Sequence, residues 1–165
     1  MPNIKCKIQS HNSNVLNKES SDNKENKTCN CRDKANCPLD GKCLSENLIY
    51  KATVTTSKDE KKCIGSTGGT LKRRFYSHTS SLNHRASRLD TRLSKYVWDA
   101  RERGETPRIR WQILHHIGPR KTTSSRICTT CNLERLEIAM ADKRRSLNKR
   151  SELSGGCVHF RSTYF

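Results

Sequence analysis

Hydrophobic positions are sparse and unevenly spaced along the 165-residue chain. Residues 1–28 carry few large apolar groups. Asn, Ser, Lys and Glu recur there without period, which predicts a disordered tail or linker. Cys29 to Cys43 is a cysteine cluster with a turn at Pro38-Leu39-Asp40-Gly41. LIYKATVTT, Leu48 to Thr56, is dense in β-formers and poor in breakers. A polar turn, SKDEKK, and the short run KCIG follow, and together they predict a hairpin. After the small residues Ser66 to Thr70, a helix is expected from about Leu71 to Leu82. It puts Arg74 and His78 four residues apart, on one face.

SRLDTRLSKYVWDARERG carries the clearest helical period. Leu89, Leu93, Tyr96, Val97 and Ala100 form one apolar stripe, with Ser87 as the expected N-cap and Gly104 as the stop. RIRWQIL alternates Ile109, Trp111 and Ile113 with polar residues, the pattern of a strand with one buried face. A polar loop runs to Arg126. A last helix is expected over roughly Thr130 to Lys143, with Leu133, Leu136 and Met140 facing inward. Beyond Arg144 the pattern is irregular apart from LNKRSEL. The order strand, strand, helix, helix, strand, helix predicts an α+β domain, a small three-stranded antiparallel sheet flanked by helices.

Composition narrows the class. Only 32% of residues are hydrophobic, so the core is small. Lys and Arg total 33 against 16 Asp and Glu, a formal charge of +17. Such an excess repels itself in a compact chain and suits a polyanionic partner, with nucleic acid the first choice. No apolar run approaches the roughly 20 residues of a membrane helix. The first residues, MPNIKCKIQSHNSN, lack the apolar core of a secretory signal. An intracellular, reducing location is therefore expected, where clustered cysteines hold metal more often than they form disulfides. A secreted disulfide-rich protein does not fit.

Two groups of cysteines have metal-ligand character. Cys29, Cys31, Cys37 and Cys43 follow C-x-C-x5-C-x5-C, four thiolates able to close a tetrahedral zinc site. The rival reading is a set of free thiols in a linker. Cys128-x2-Cys131 with Cys157-x-His159 forms a second candidate zinc set. His115 or His116 is an alternative ligand there, and a buried core role for Cys131 is the rival reading. Cys6 lies in the tail without an assigned role.

The element order would also gather a tyrosine, Tyr50, the Arg74 and His78 pair, a carboxylate, Glu134, and Asn148. That set suits phosphodiester cleavage: a carboxylate holds a divalent cation, arginine and cation stabilise phosphate charge, and Tyr or His takes a proton from water. On their own, an arginine and a histidine on a basic helix are more often plain phosphate contacts.

Leu48-Ile49-Tyr50, followed by Cys63-Ile64-Gly65, resembles the GIY-YIG nuclease signature. The helix with Arg74 and His78, then Glu134, then Asn148 in Leu147-Asn148-Lys149-Arg150, falls in that family's order. The chain is most similar to the endonuclease domain of Penelope-like retroelements. That variant carries a CPLDGKC-like stretch, an IYKA-like strand, a CxxC before the glutamate, an LNKRSEL-like segment and a Cys-x-His. Here these are Cys37 to Cys43, Ile49 to Ala52, Cys128 to Glu134, Leu147 to Leu153, and Cys157-Val158-His159. The resemblance covers roughly residues 29–160. It divides the chain into a tail over 1–28, a cysteine cluster over 29–46 and a nuclease-like domain over 47–160.

The resemblance implies a nuclear endonuclease that hydrolyses DNA with Mg²⁺ or Mn²⁺ on Glu134. Arg74 and His78 would face the scissile phosphate, with Tyr50 and Cys63 lining the site. It also implies an upstream reverse transcriptase in a longer polyprotein. Two residues depart from the family: Leu48 stands for the first triad's glycine and Cys63 for the second triad's tyrosine. Either Tyr50 or His78 then activates water, or the chain is a catalytically impaired zinc-containing nucleic-acid-binding module.

Overall fold

The computed structural model describes residues 28–118, 128–154 and 157. The tail expected over 1–28, except Thr28, lies outside the described residues, as do Cys6 and the ligand candidate His159.

The β-rich run beginning at Leu48 forms β1, Leu48–Thr55. Its partner β2, Glu60–Thr67, extends beyond KCIG at both ends. Helix α1 spans Leu71–Asn83, α2 Arg92–Glu102, β3 Arg108–His116 and α3 Thr129–Met140. The strands form one antiparallel sheet in the order β2-β1-β3, so the chain is α+β as expected. Among the described residues, no helix is long and apolar enough to cross a membrane.

The central strand is buried on both sides at its start. Alternation sends Leu48, Tyr50, Ala52 and Val54 to one face. There they pack with Leu71 and Leu82 of α1, Leu93 and Val97 of α2, and Trp111 of β3. Cys29, Cys37, Leu39 and Cys43 join this same core. Ile49 and Ile64 point to the opposite face and pack with Ile138 of α3.

Helix boundaries differ from expectation where polar side chains decide them. The N-cap of α2 is Thr91, not Ser87. Thr91 and Ser94 cap each other reciprocally, which satisfies two orphan N–H groups. Ser87 instead ends a short 3₁₀ turn, Arg85–Ser87, and Leu89 is exposed. Helix α3 stops at Met140, short of Lys143, and is rotated from the expected stripe. Leu133 packs inward together with Ile138 and Ala141, whereas Leu136 and Met140 are 52% and 75% exposed. The reason is that two glutamates share the sheet-facing side. Ser66 donates to Glu134 Oε2 at 2.9 Å, and Glu137 Oε1 lies 2.6 Å from His115 Nε2. The apolar stripe alone could not show a face that is part carboxylate.

The outer edge of β2 is covered. Lys62 N–H donates to Arg145 O, and Leu147 N–H to Lys62 O, both at 2.7 Å. Asn148 continues this pairing with its side chain. Its Oδ1 accepts from Ile64 N–H and its Nδ2 donates to Ile64 O, both at 2.8 Å.

Candidate active site and metal centres

The register places Tyr50 opposite Gly65. The Tyr50 ring lies across that glycine: an added Cβ would stand 2.6 Å from its hydroxyl oxygen. From α1, one turn apart, come Arg74 and His78. Arg74 Nε donates to the Tyr50 hydroxyl at 2.8 Å, and His78 Nε2 lies 2.9 Å from the same oxygen. Trp111 backs both rings, its centroid 5.6 Å from Tyr50 and 5.3 Å from His78.

Burial sets the protonation states. His78 is 4% exposed. Burial, reinforced by the Arg74 charge, pushes its pKa down to about 4, so it is a neutral imidazole at pH 7. Burial likewise pushes Tyr50 up to about 12, although the Arg74 charge and hydrogen bond pull the other way. The phenol therefore keeps its proton. Its oxygen accepts from Arg74, which leaves the hydroxyl proton to be donated to His78 Nε2. The other ring nitrogen, Nδ1, is buried without a hydrogen-bond partner among the described residues.

Cys63 packs against the main core, partly buried. Burial, then the charge of Glu152, pushes its thiol up to about 12, against the pull of Arg74. It is a neutral thiol, a poor base and a weak nucleophile. The Glu134 charge reaches this cluster from the far side of β2 and helps raise both Tyr50 and Cys63. Glu134 Oε1 has no hydrogen-bond partner among the described residues, so one carboxylate oxygen is open to a cation.

Tyr50, Arg74 and His78 are thus in direct contact, with Cys63 and Glu134 within electrostatic reach. Asn148 stands apart, against the β2 backbone and bonded to Glu152 Oε2 at 2.7 Å. Tyr76, two residues past Arg74, is 57% exposed on another face of α1. Sequence reasoning missed three participants: Gly65, which makes room for Tyr50; Ser66, which holds Glu134; and Trp111, which backs the site. Trp111 was legible as buried, but only the β1–β3 register brings it to Tyr50.

The first cysteine group converges. The sulfurs of Cys29, Cys31, Cys37 and Cys43 all lie within 4.8 Å of one another. Cys31 Sγ is 3.7 Å from Cys37 Sγ and 3.9 Å from Cys43 Sγ. A tetrahedron with Zn–S bonds of about 2.3 Å has S···S edges of about 3.8 Å, so the cage fits a zinc-sized ion. Backbone N–H groups of Asn30 and Cys31 donate to Cys43 and Cys29 sulfurs at 3.4 Å. Without a cation the group favours the thiol form: the hydrogen bond with Cys29, then partial burial, raises the Cys31 pKa. A bound cation reverses that preference.

This knuckle is attached to helix α1. Cys43 O and Ser45 O accept the N–H groups of Lys72 and Leu71 at 2.8 Å. Thr70 Oγ1 accepts from Arg73. The cysteine segment therefore helps satisfy the first turn of the helix that carries Arg74 and His78.

Cys128, Cys131 and Cys157 form a second group with sulfurs within 4.8 Å, and Cys131 and Cys157 are 3.4 Å apart. Neither His115 nor His116 belongs to it; His115 is engaged by Glu137. Both groups could hold a metal such as zinc. No family model, curated protein or solved structure matches the chain.

Proposed function

We propose that the chain is a metal-dependent endonuclease of the GIY-YIG type, hydrolysing DNA phosphodiester bonds. The observation that carries this reading is the Tyr50 hydroxyl held between the Arg74 guanidinium and the neutral His78 imidazole. Arg74 binds the scissile phosphate and stabilises the charge that develops on it. Water attacks phosphorus, and the P–O ester bond on the opposite side breaks. The water proton passes to Tyr50 as Tyr50 hands its own proton to His78 Nε2. In the free protein Arg74 disfavours a charged His78; a phosphate beside Arg74 offsets that penalty, so the base is strengthened when substrate is present. The departing ester oxygen takes a proton from solvent. Glu134 would hold the Mg²⁺ or Mn²⁺ ion, which supplies Lewis-acid stabilisation of the phosphate oxygens.

Nicking of supercoiled plasmid with added Mg²⁺ or Mn²⁺ tests the reading. Glu134→Ala should abolish nicking and leave duplex binding intact or tighter, because a negative charge near phosphate is removed. Metal-independent nicking, or near-normal nicking by the variant, would remove the assignment. One observation favours the rival class, a zinc-containing DNA-binding module without catalysis: Cys63 is a neutral thiol where the family has a second tyrosine. A parent protein that binds duplex and never nicks it, with either metal, decides for that class.

A further inference from the structure

Among the described residues, helix α3 shields one end of the sheet's second face, at Ile49 and Ile64. The other end is an open groove of about 490 Å³, and Lys51 of β1, Lys62 of β2 and Arg108 and Arg110 of β3 line it. The register sets Arg110, Thr53 and Lys62 in one cross-strand row. Arg108, Thr55 and Glu60 form the next. Strands lie about 4.8 Å apart and rise about 3.3 Å per residue, so the four cations share a patch about 10 Å across the strands and about 13 Å along them. Lys62 is paired with Glu60 at 3.3 Å. Lys51, Arg108 and Arg110 have no ion-pair partner among the described residues. Like charges this close on one sheet face are unfavourable until an anion meets them.

We propose that this sheet face docks the phosphate backbone of duplex DNA, apart from the candidate catalytic residues Tyr50, Arg74, His78 and Glu134. The proposal rests on the reading that DNA is the substrate. Charge complementarity selects a polyanion, and the face itself selects a duplex. Its remaining lining is Thr53, Thr55, Glu60 and Gln112, with Ile109, so it offers no aromatic ring. Sites for single strands stack bases on aromatic side chains; here Tyr50 and Trp111 are turned to the other face, in the main core. Lysine and arginine on a flat strand surface position a backbone without reading bases. The face thus adds affinity independent of sequence and leaves the chemical step alone.

The test compares two quadruple variants. One carries Lys51→Gln, Lys62→Gln, Arg108→Gln and Arg110→Gln. The control carries Lys34→Gln, Lys42→Gln, Lys58→Gln and Lys95→Gln, the same charge removed at exposed sites elsewhere. Binding of a labelled duplex is followed by anisotropy across a salt series. Each lost phosphate contact lowers the slope of log K against log [salt] by about 0.9, so the face variant should lose about 3 to 4 units. The control should lose clearly less, and plasmid nicking at saturating DNA should match the parent. A charge-keeping swap of the same four residues, Lys to Arg and Arg to Lys, should restore the parent slope. Equal losses in the two variants would overturn the proposal, as would a swap that behaves like the glutamine variant. Loss of affinity for single-stranded RNA with duplex binding untouched would also overturn it. The two readings separate cleanly. A parent that nicks, paired with a face variant of unchanged slope, sinks the docking face alone. A parent that never nicks, paired with a lowered slope, upholds the face and sinks the nuclease.

Discussion

Gly65→Ala should damage both stability and cleavage, although it adds a single methyl to a strand. The backbone at Gly65 does not need a left-handed conformation; among the described residues the positive-φ glycines are Gly41 and Gly104. On backbone grounds alanine should even help slightly, by about 0.4–1 kcal/mol. The space is the obstacle. The new Cβ would stand 2.6 Å from the Tyr50 oxygen and 2.8 Å from Cζ, where ordinary contact begins at 3.4 Å. Tyr50 must retreat by about 0.8 Å. Its hydrogen bonds of 2.8 Å to Arg74 and 2.9 Å to His78 then stretch beyond the usual limit of about 3.2 Å. Losing one charged and one neutral hydrogen bond costs about 2–4 kcal/mol. That corresponds to roughly 10 °C in melting temperature for a domain of this size. Misplacing a reacting group by about 1 Å costs on the order of 10²-fold in rate. Thermal melts and single-turnover plasmid nicking read the two effects. Tyr50→Phe is the companion variant: it deletes both hydrogen bonds without crowding, so any excess loss in Gly65→Ala reports displacement of the ring. A Gly65→Ala protein that melts and nicks like the parent would refute the packing of Tyr50 on Gly65 and the contact pair built on it.

His78 predicts a pH dependence. Between its folded value of about 4 and its ordinary value of about 6.5, the unfolded chain binds a proton that the folded chain refuses. Stability should therefore rise with pH across that window, by up to about 3 kcal/mol. Urea unfolding from pH 4 to 7.5 measures it, and His78→Gln should flatten the rise; an unchanged profile in that variant assigns the dependence elsewhere. Protein purified without chelator should contain two zinc ions per chain by elemental analysis, and Cys37→Ser should reduce this to one. Finding no bound metal in the parent would dismiss both cages. Cys63→Ala should nick within about threefold of the parent, since a buried neutral thiol acts as a small hydrophobe. Losses of about 10²-fold in both Cys63→Ala and Cys63→Ser would instead place the sulfur in the chemistry.

Periodic apolar patterns made the strands and the first two helices legible, because a period of two or of 3.6 reports which face is buried. Leu93, Val97 and Ala100 lie inward as their spacing indicates, and Tyr76 lies outward. The pattern failed where polar groups do structural work. Thr91 and Ser94 moved the start of α2, and Glu134 with Glu137 rotated α3 away from Leu136 and Met140. At the candidate site, the four-residue spacing was enough to put Arg74 beside His78. Element order also brought Tyr50 near them; that its hydroxyl is the atom both hold depends on the strand register set by the turn at Thr56 to Asp59. Asn148 could be singled out as a residue, but its bonds to Ile64 depend on a pairing between distant segments.

That pairing orders the events of assembly. Ile64 and Asn148 are 84 positions apart, whereas the β1–β2 hairpin is local. Distant contacts close late because the loop entropy must be met first. On a ribosome delivering roughly 5–20 residues each second, the hairpin is complete several seconds before residues 145–148 emerge. Through that interval β2 shows the groups that Lys62 and Ile64 will later give to Arg145, Leu147 and Asn148. A bare strand edge is a template for another chain, so nascent copies are most vulnerable to pairing with one another during this delay. The amide of Asn148 ends it by occupying the place that a neighbouring strand would take.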